Sequence, residues 1–342
     1  MRDLKNGLTT SGKGSTNIQS TRGRSFGYQI LGFGSGGGAA TAEFDYLVVA
    51  GGAGTVGGLS AGGGGGGFRT SYPGGTKIAL GSGAVITVGD GGIASPAYPV
   101  TGPNRIAAKG QNSEIIGATL TLTSAGGGVM NNNDAYPGVP ADDPTNQAIR
   151  DGGSGGGTGH QGTRGGDGNV PPSSGDLNPV QGYPGGPGGG SFGSSGGGGA
   201  SGAGSNGSTP GGPPNNSGPG GAGSPNLIAP GYPLGTTYAG GGGGGGYGGS
   251  GGTGGAGGGG NGGTPPTGVG INGTDGLGGG GGGTASGPNN PVTKAGGNGV
   301  VFLRIATADA PVGLSVTPGT NTLATDGSDK VLTFTVSGTV EL

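Results

Sequence analysis

The chain has 342 residues, of which 105 are glycine and 25 proline, while apolar residues make up only 28% and charged residues 9%. So little apolar material excludes a conventional single core, and a net charge of −2 excludes self-repulsion as the force that keeps the chain open. With no cysteine and one histidine, His160, disulfides and thiolate metal sites are excluded too.

Residues 1–38 read as an arm. Arg2, Lys5, Lys13, Arg22 and Arg24 face only Asp3, a net of +4 in a chain of net −2. The arm closes on an apolar cluster, Phe26, Tyr28, Ile30, Leu31 and Phe33, before glycine takes over. An extended basic peptide with an apolar plug is expected to anchor the chain on an acidic partner; the alternative is a solvated tail. The arm lacks the apolar stretch of a secretory signal. No later segment approaches the roughly 18 apolar residues of a membrane span.

Residues 39–306 form the glycine-rich body. Its ends read as strands, 44–50 and 300–305, each apolar on both faces and bounded by glycine. Between them, 76–80 and 84–88 flank Gly81-Ser82-Gly83 as a hairpin, and 120–123 alternates with period two. The middle is punctuated by glycine runs at 62–67, 196–199, 240–246, 257–260 and 278–283. No strict Gly-X-Y triplet persists, so collagen is rejected. A helix through such a run costs about 1 kcal/mol per glycine relative to alanine. The expected arrangement is a polyglycine-II bundle, with three residues per turn and no internal hydrogen bonds. Neighbouring runs then exchange backbone bonds because no Cβ keeps them apart. Runs that are glycine throughout suit the interior, and runs with glycine at two positions in three suit the faces. Ordering glycine is entropically costly, so many runs must pack together. The fold class expected is therefore mostly irregular and β, a polyglycine-II bundle bounded by short strands, without an α-helix of note.

Residues 307–342 form a strand-rich tail. Its last part, 331–336 and 339–342 around Ser337-Gly338, is expected to be a hairpin that joins a sheet with or beside 44–50 and 300–305, of the same chain or a neighbouring subunit; the alternative is that 307–342 form a separate docking module.

The chemistry of catalysis is missing from the text. Residues 7–13 fit the start of a phosphate-binding loop, but Gly14 stands where Ser or Thr should hold magnesium, and no strand precedes it. Residues 165–170 begin like a calcium nonapeptide and break at Val170. His160 lacks an acid–base partner nearby, Asp142-Asp143 reads as a turn before Pro144, and the sequons at Asn206, Asn215 and Asn272 are expected by chance. No catalytic residue, metal site or cofactor is assigned.

Phe44-Asp45-Tyr46-Leu47-Val48-Val49-Ala50-Gly51-Gly52, then residues 62–67 with Phe68-Arg69, resemble the opening of the glycine-rich domain of tailed-phage tail proteins. Ile86-Thr87-Val88-Gly89-Asp90-Gly91-Gly92, Asn112-Ser113 and Gly296-Gly297-Asn298-Gly299-Val300-Val301-Phe302-Leu303-Arg304-Ile305 are similar to its later landmarks, in order. The leader at 26–36 resembles one in marine phage structural proteins. The family's Thr-Phe-Thr-x-Ser-Gly-Thr segment usually precedes the first strand; here it is at 333–339, as though the domain were circularly permuted.

The resemblance implies a non-enzymatic virion protein, a tail-fibre or fibre-tip adhesin on the phage surface or tail. The alternatives are a capsid or tail decoration protein without receptor binding, and a non-viral matrix protein. Implied partners are other virion proteins through the arm, a host-surface receptor and further copies, as in a fibre trimer; no nucleic acid and no membrane insertion are expected. Rigid, aromatic and amide-rich loops suit surface binding. The candidate binding residues are accordingly Asn131, Asn132, Asn133, Asp134, Tyr136, Tyr183 and Tyr232, expected together at one end.

Overall fold

Strand β1 (Thr41–Val49) alternates its apolar residues between two destinations. Phe44, Tyr46 and Val48 point into one buried cluster, Leu47 and Val49 into another. That is why the segment reads as apolar on both faces. The computed structural model describes residues 41–57, 59–94, 108–130, 144–159, 162, 164–172, 180–188, 193–208, 216–232, 235–266, 268–285 and 292–342. Residues 42–342 form one unit, separate from 1–41.

Two sheets carry the first cluster. One contains β1, β2 (Phe68–Thr70), β3 (Ile78–Gly81), β9 (Val300–Ala306), β11 (Thr322–Asp326) and β12 (Asp329–Phe334), in the order β11-β12-β9-β1-β2 with β3 also on β1. The other contains β4 (Ala84–Thr87), β5 (Ser113–Ile116), β6 (Thr121–Ser124), β10 (Ser315–Thr317) and β13 (Gly338–Glu341), in the order β10-β13-β4-β5-β6. Asp45 faces Arg304 and Val49 faces Val300 on the β1–β9 ladder, while Leu332 faces Leu303 on the β9–β12 ladder. The sheets meet face to face over Phe44, Tyr46, Leu303, Phe334, Ile86 and Ile115, all essentially inaccessible to solvent.

Residues 331–334 thus pair with β9, as expected of the tail, and the pairing is within the chain. Neither expected hairpin forms. Strands β3 and β4 belong to different sheets, and so do β12 and β13. At Ser82-Gly83, and again at 335–337, the chain crosses the core instead of folding back in one sheet. The alternation of Ile78, Leu80, Ala84 and Ile86 fixes which side chains point inward; a hairpin and an inter-sheet crossing bury the same set. Gly83 takes φ +78 at its turn and donates to the Val340 carbonyl on the neighbouring strand.

The glycine-rich body grows from one end of this sandwich. Residues 50–56, 88–93 and 125–130 leave β1, β4 and β6; residues 62–67, 108–112 and 292–299 return to β2, β5 and β9. Within the body the hydrogen-bond partner recurs every third residue. Gly62 and Gly65 donate to Ser195 and Gly198 (3.1 and 2.9 Å), Gly63 and Gly66 to Gly281 and Gly278 (2.9 and 2.8 Å), and Gly64 and Gly67 to Gly128 and Ala125 (3.0 and 2.7 Å). The same rule holds for 241–246, whose amides go in turn to 221 and 218, to 63 and 60, and to 260 and 263. Runs 62–67 and 241–246 each therefore have their donors satisfied by three different neighbours.

Glycine content follows position. The interior runs are buried along their length. A Cβ on Gly62, Gly242 or Gly280 would fall closer than 3.0 Å to the carbonyl oxygen of Gly242, Gly281 or Gly63, respectively. On the face run 216–223, the exposed positions are Asn216, Pro219 and Ala222, three apart, with glycine or buried Ser217 between. Run 268–275 at an edge keeps glycine inward at 268, 270 and 273, with exposed residues at the other positions. One helix, α1 (Pro144–Arg150), is present among the described residues, 7 residues long.

The second cluster fastens body to sandwich. Ile228, Ala229, Tyr238, Ala239, Leu277 and Ala200 cover Leu47, Val49, Val300 and Phe302 on the outer face of the first sheet. Tyr232 and Tyr238 meet the Phe302 ring edge-on, at 5.0 and 6.0 Å. Beside them Arg304 donates to Asp329 (2.7 Å), Asp326 (2.8 Å) and the Ile228 carbonyl (2.7 Å), and lies over the Tyr72 ring at 5.5 Å.

Candidate functional site

The runs end, away from the sandwich, in a layer of hydroxyl side chains. Thr55, Ser60, Thr158, Ser195, Ser217 and Thr284 all lie within the bundle and are buried. Their oxygens take over from backbone partners where runs diverge into loops. Thr284 N–H donates to Ser60 Oγ (2.7 Å), Thr158 N–H to Ser195 Oγ (2.6 Å) and Lys294 N–H to Thr55 Oγ1 (3.1 Å). Ser217 Oγ donates to the Gly245 carbonyl (2.6 Å). A small hydroxyl both fits the widening gap and satisfies a group that would otherwise be orphaned. Beyond this layer the described surface carries Ile93 at 71% exposure, with Val269, Tyr247 and Val292 also exposed.

Helix α1 stands where residues 131–143 rejoin the bundle, and its last turn is held by charge. Arg150 is 1% exposed; its Nη2 donates to Gln147 Oε1 (2.7 Å) and its Nη1 to the Arg164 carbonyl (3.3 Å). Lys109 Nζ donates to the Ala148 carbonyl (3.3 Å), and Asp167 N–H to Asp151 Oδ1 (2.6 Å). Burial pushes the Lys109 ammonium below its ordinary pKa, and the nearby Asp151 carboxylate opposes that shift. A helix this short has no stability of its own, so these bonds hold it in place; Met130 is buried with Val56, Ala61 and Val129.

Asn131, Asn132, Asn133, Asp134 and Tyr136 lie outside the described residues, as do Phe26, Tyr28, Ile30, Leu31 and Phe33 of the arm. Tyr183 is 42% exposed, but its carbonyl accepts from Gly155 and its amide donates to Gly199. It stands two residues from Gln181, whose carbonyl accepts from Phe68 at the start of β2. Tyr232 is half-buried against Phe302. Both tyrosines therefore sit toward the sandwich, away from the hydroxyl layer. The residues that sequence reading passed over, Ile93, Tyr247, Val269 and Val292, are single apolar residues set between glycines and polar loops. The Ser and Thr residues that bracket the glycine runs were the legible signal of where the bundle ends.

Among the described residues no group of His, Cys, Asp and Glu could hold a metal, and no helix is long and apolar enough to cross a membrane. No family model, no curated protein and no solved structure matches the chain.

Proposed function

We propose that the chain is a non-enzymatic structural protein of a tailed-phage virion, a tail-fibre or fibre-tip protein whose loops meet the host surface. In this reading the body is a bundle of polyglycine-II helices, a stiff bracket rather than a catalytic domain. The observation that carries it is the hydrogen-bond partner recurring at every third residue along 62–67 and 241–246. Three residues per turn, with all amides bonded outward, is the polyglycine-II repeat. Runs 88–93 and 125–130 lead away from β4 and β6 of the sandwich. The arm joins β1 at Thr41, the end of that strand away from the bundle.

A second reading, a capsid or tail decoration protein without a receptor, is favoured by the placement of Tyr183 and Tyr232 near the sandwich. Adsorption competition separates the two. Purified protein added to host cells ahead of the phage should lower adsorption, and alanine at Asn131, Asn132, Asn133, Asp134 and Tyr136 together should remove that competition with an unchanged circular dichroism spectrum. Failure of the intact protein to compete, with the chain located on the capsid in particle images, would instead favour decoration.

A further inference from the structure

A glycine bundle has a liability that ordinary domains lack. Any outward column of bare glycine backbone can accept a run from another molecule, much as an exposed strand edge accepts a strand. Charge gives little protection here, because 14 basic residues nearly balance 16 acidic ones.

The outward columns of this bundle are not bare. Residues three apart on the outer runs are Asn216, Pro219 and Ala222; Ser250, Thr253 and Ala256; Asn261 and Thr264; and Val269, Asn272 and Asp275, all exposed. Each places a Cβ where an interior run has none. Several also consume the donors that a further run would need. Gly254 N–H goes to Asn261 Oδ1 (2.8 Å) and Gly251 N–H to Thr264 Oγ1 (2.9 Å). Ser250 N–H goes to Asn216 Oδ1 (3.0 Å) and Ala295 N–H to Asn272 Oδ1 (3.2 Å). Inside the bundle, by contrast, glycine amides go to the carbonyls of neighbouring runs, as Gly252 and Gly255 do to Gly244 and Gly241 (both 2.8 Å). Pro219 has no N–H to offer.

We infer that Asn216, Asn261, Thr264 and Asn272 are edge guards that keep the bundle from pairing sideways with a second copy of the chain. Where the bared column meets a different column of the second copy, the contact is head-to-tail and does not close on itself, so its product is open-ended. The inference stands apart from the host-binding reading, since it concerns the sides of the bundle and not its loops.

The test is sedimentation velocity on the full chain over a ten-fold concentration range. Asn261→Gly with Thr264→Gly is expected to raise the weight-average mass at least about two-fold over the parent at the higher concentration, with mass still climbing. Asn261→Ser with Thr264→Ser keeps a Cβ and an acceptor oxygen at both positions and should sediment like the parent. The inference is overturned if the glycine pair keeps the parent's mass throughout with an unchanged far-ultraviolet spectrum. It is equally overturned if the glycine pair unfolds without gaining mass, which would make the side chains internal caps only, or if the serine pair associates as strongly.

Discussion

At the scale of single residues the body depends on what is missing from Cα. Gly242 sits where runs meet, and a methyl group there would collide with the Gly281 carbonyl. Backbone cannot rotate away as a side chain can, so the neighbouring run must move. Gly242→Ala is expected to destabilise by about 1–3 kcal/mol or more, whereas Gly319→Ala, with open space around it, should be near neutral. Equal denaturation midpoints for the two variants would show that the runs tolerate separation. Tyr238 makes a different kind of demand. Burial pushes its phenol up from 10.0 to about 12, and the Asn226 amide at 3.3 Å offsets part of that. A pKa raised in the fold favours the protonated native state. The stability is complete below pH 10 and drains away as pH climbs toward 12, because the unfolded chain ionises first. Tyr46 and Tyr232, also pushed up by burial, act in the same direction. Melting temperatures between pH 9 and 12 should fall, and Tyr238→Phe should fall less steeply. Parallel curves would mean that ionisation at Tyr238 contributes nothing.

At the scale of elements, the longest strands were legible, but apart from the pairing of the tail with β9 their partners were not. Residues 44–49 and 300–305 announce themselves because each is buried from both sides, by the second sheet through Phe44, Tyr46 and Leu303 and by the body through Leu47, Val49 and Phe302. Alternation in 78–87 and 329–341 gave the inward faces correctly but carried no information about which sheet each strand joins. Tyr232 was misplaced for a related reason: an aromatic residue beside proline reads as a loop tip, and nothing local reveals that Phe302 needs a cover. Helix α1 had a signal in the sequence Asp143-Pro144, a residue type that favours helix starts followed by the proline that opens the helix, which a turn reading absorbs. The loops at 131–143 are the part of the candidate site read from sequence alone. Arg304 joins elements that sequence kept apart, linking the β11–β12 turn, the 226–232 segment and Tyr72. Arg304→Met should cost about 2–3 kcal/mol. Arg304→Lys should recover less than half of that, because an ammonium cannot reach two carboxylates and a carbonyl at once. Full recovery in urea titrations would reduce the role of Arg304 to its charge.

At the scale of the whole molecule, one sheet serves two bodies. Its inner face completes the sandwich and its outer face receives the glycine runs, so neither half has an interface to spare. The three-residue recurrence of hydrogen-bond partners sets a rule of arithmetic for how such a protein can change length. Removing three residues from within 241–246 returns every remaining amide to its former neighbour, one turn nearer the loop. Removing one or two swings each amide toward a different neighbour, and the mismatch propagates to the end of the run. On the proposed polyglycine-II reading, runs such as 62–67 and 241–246 are therefore free to lengthen or shorten by whole turns, carrying their loops nearer to or farther from the sandwich in steps of roughly 9 Å. Between those steps the lattice has no place to stop.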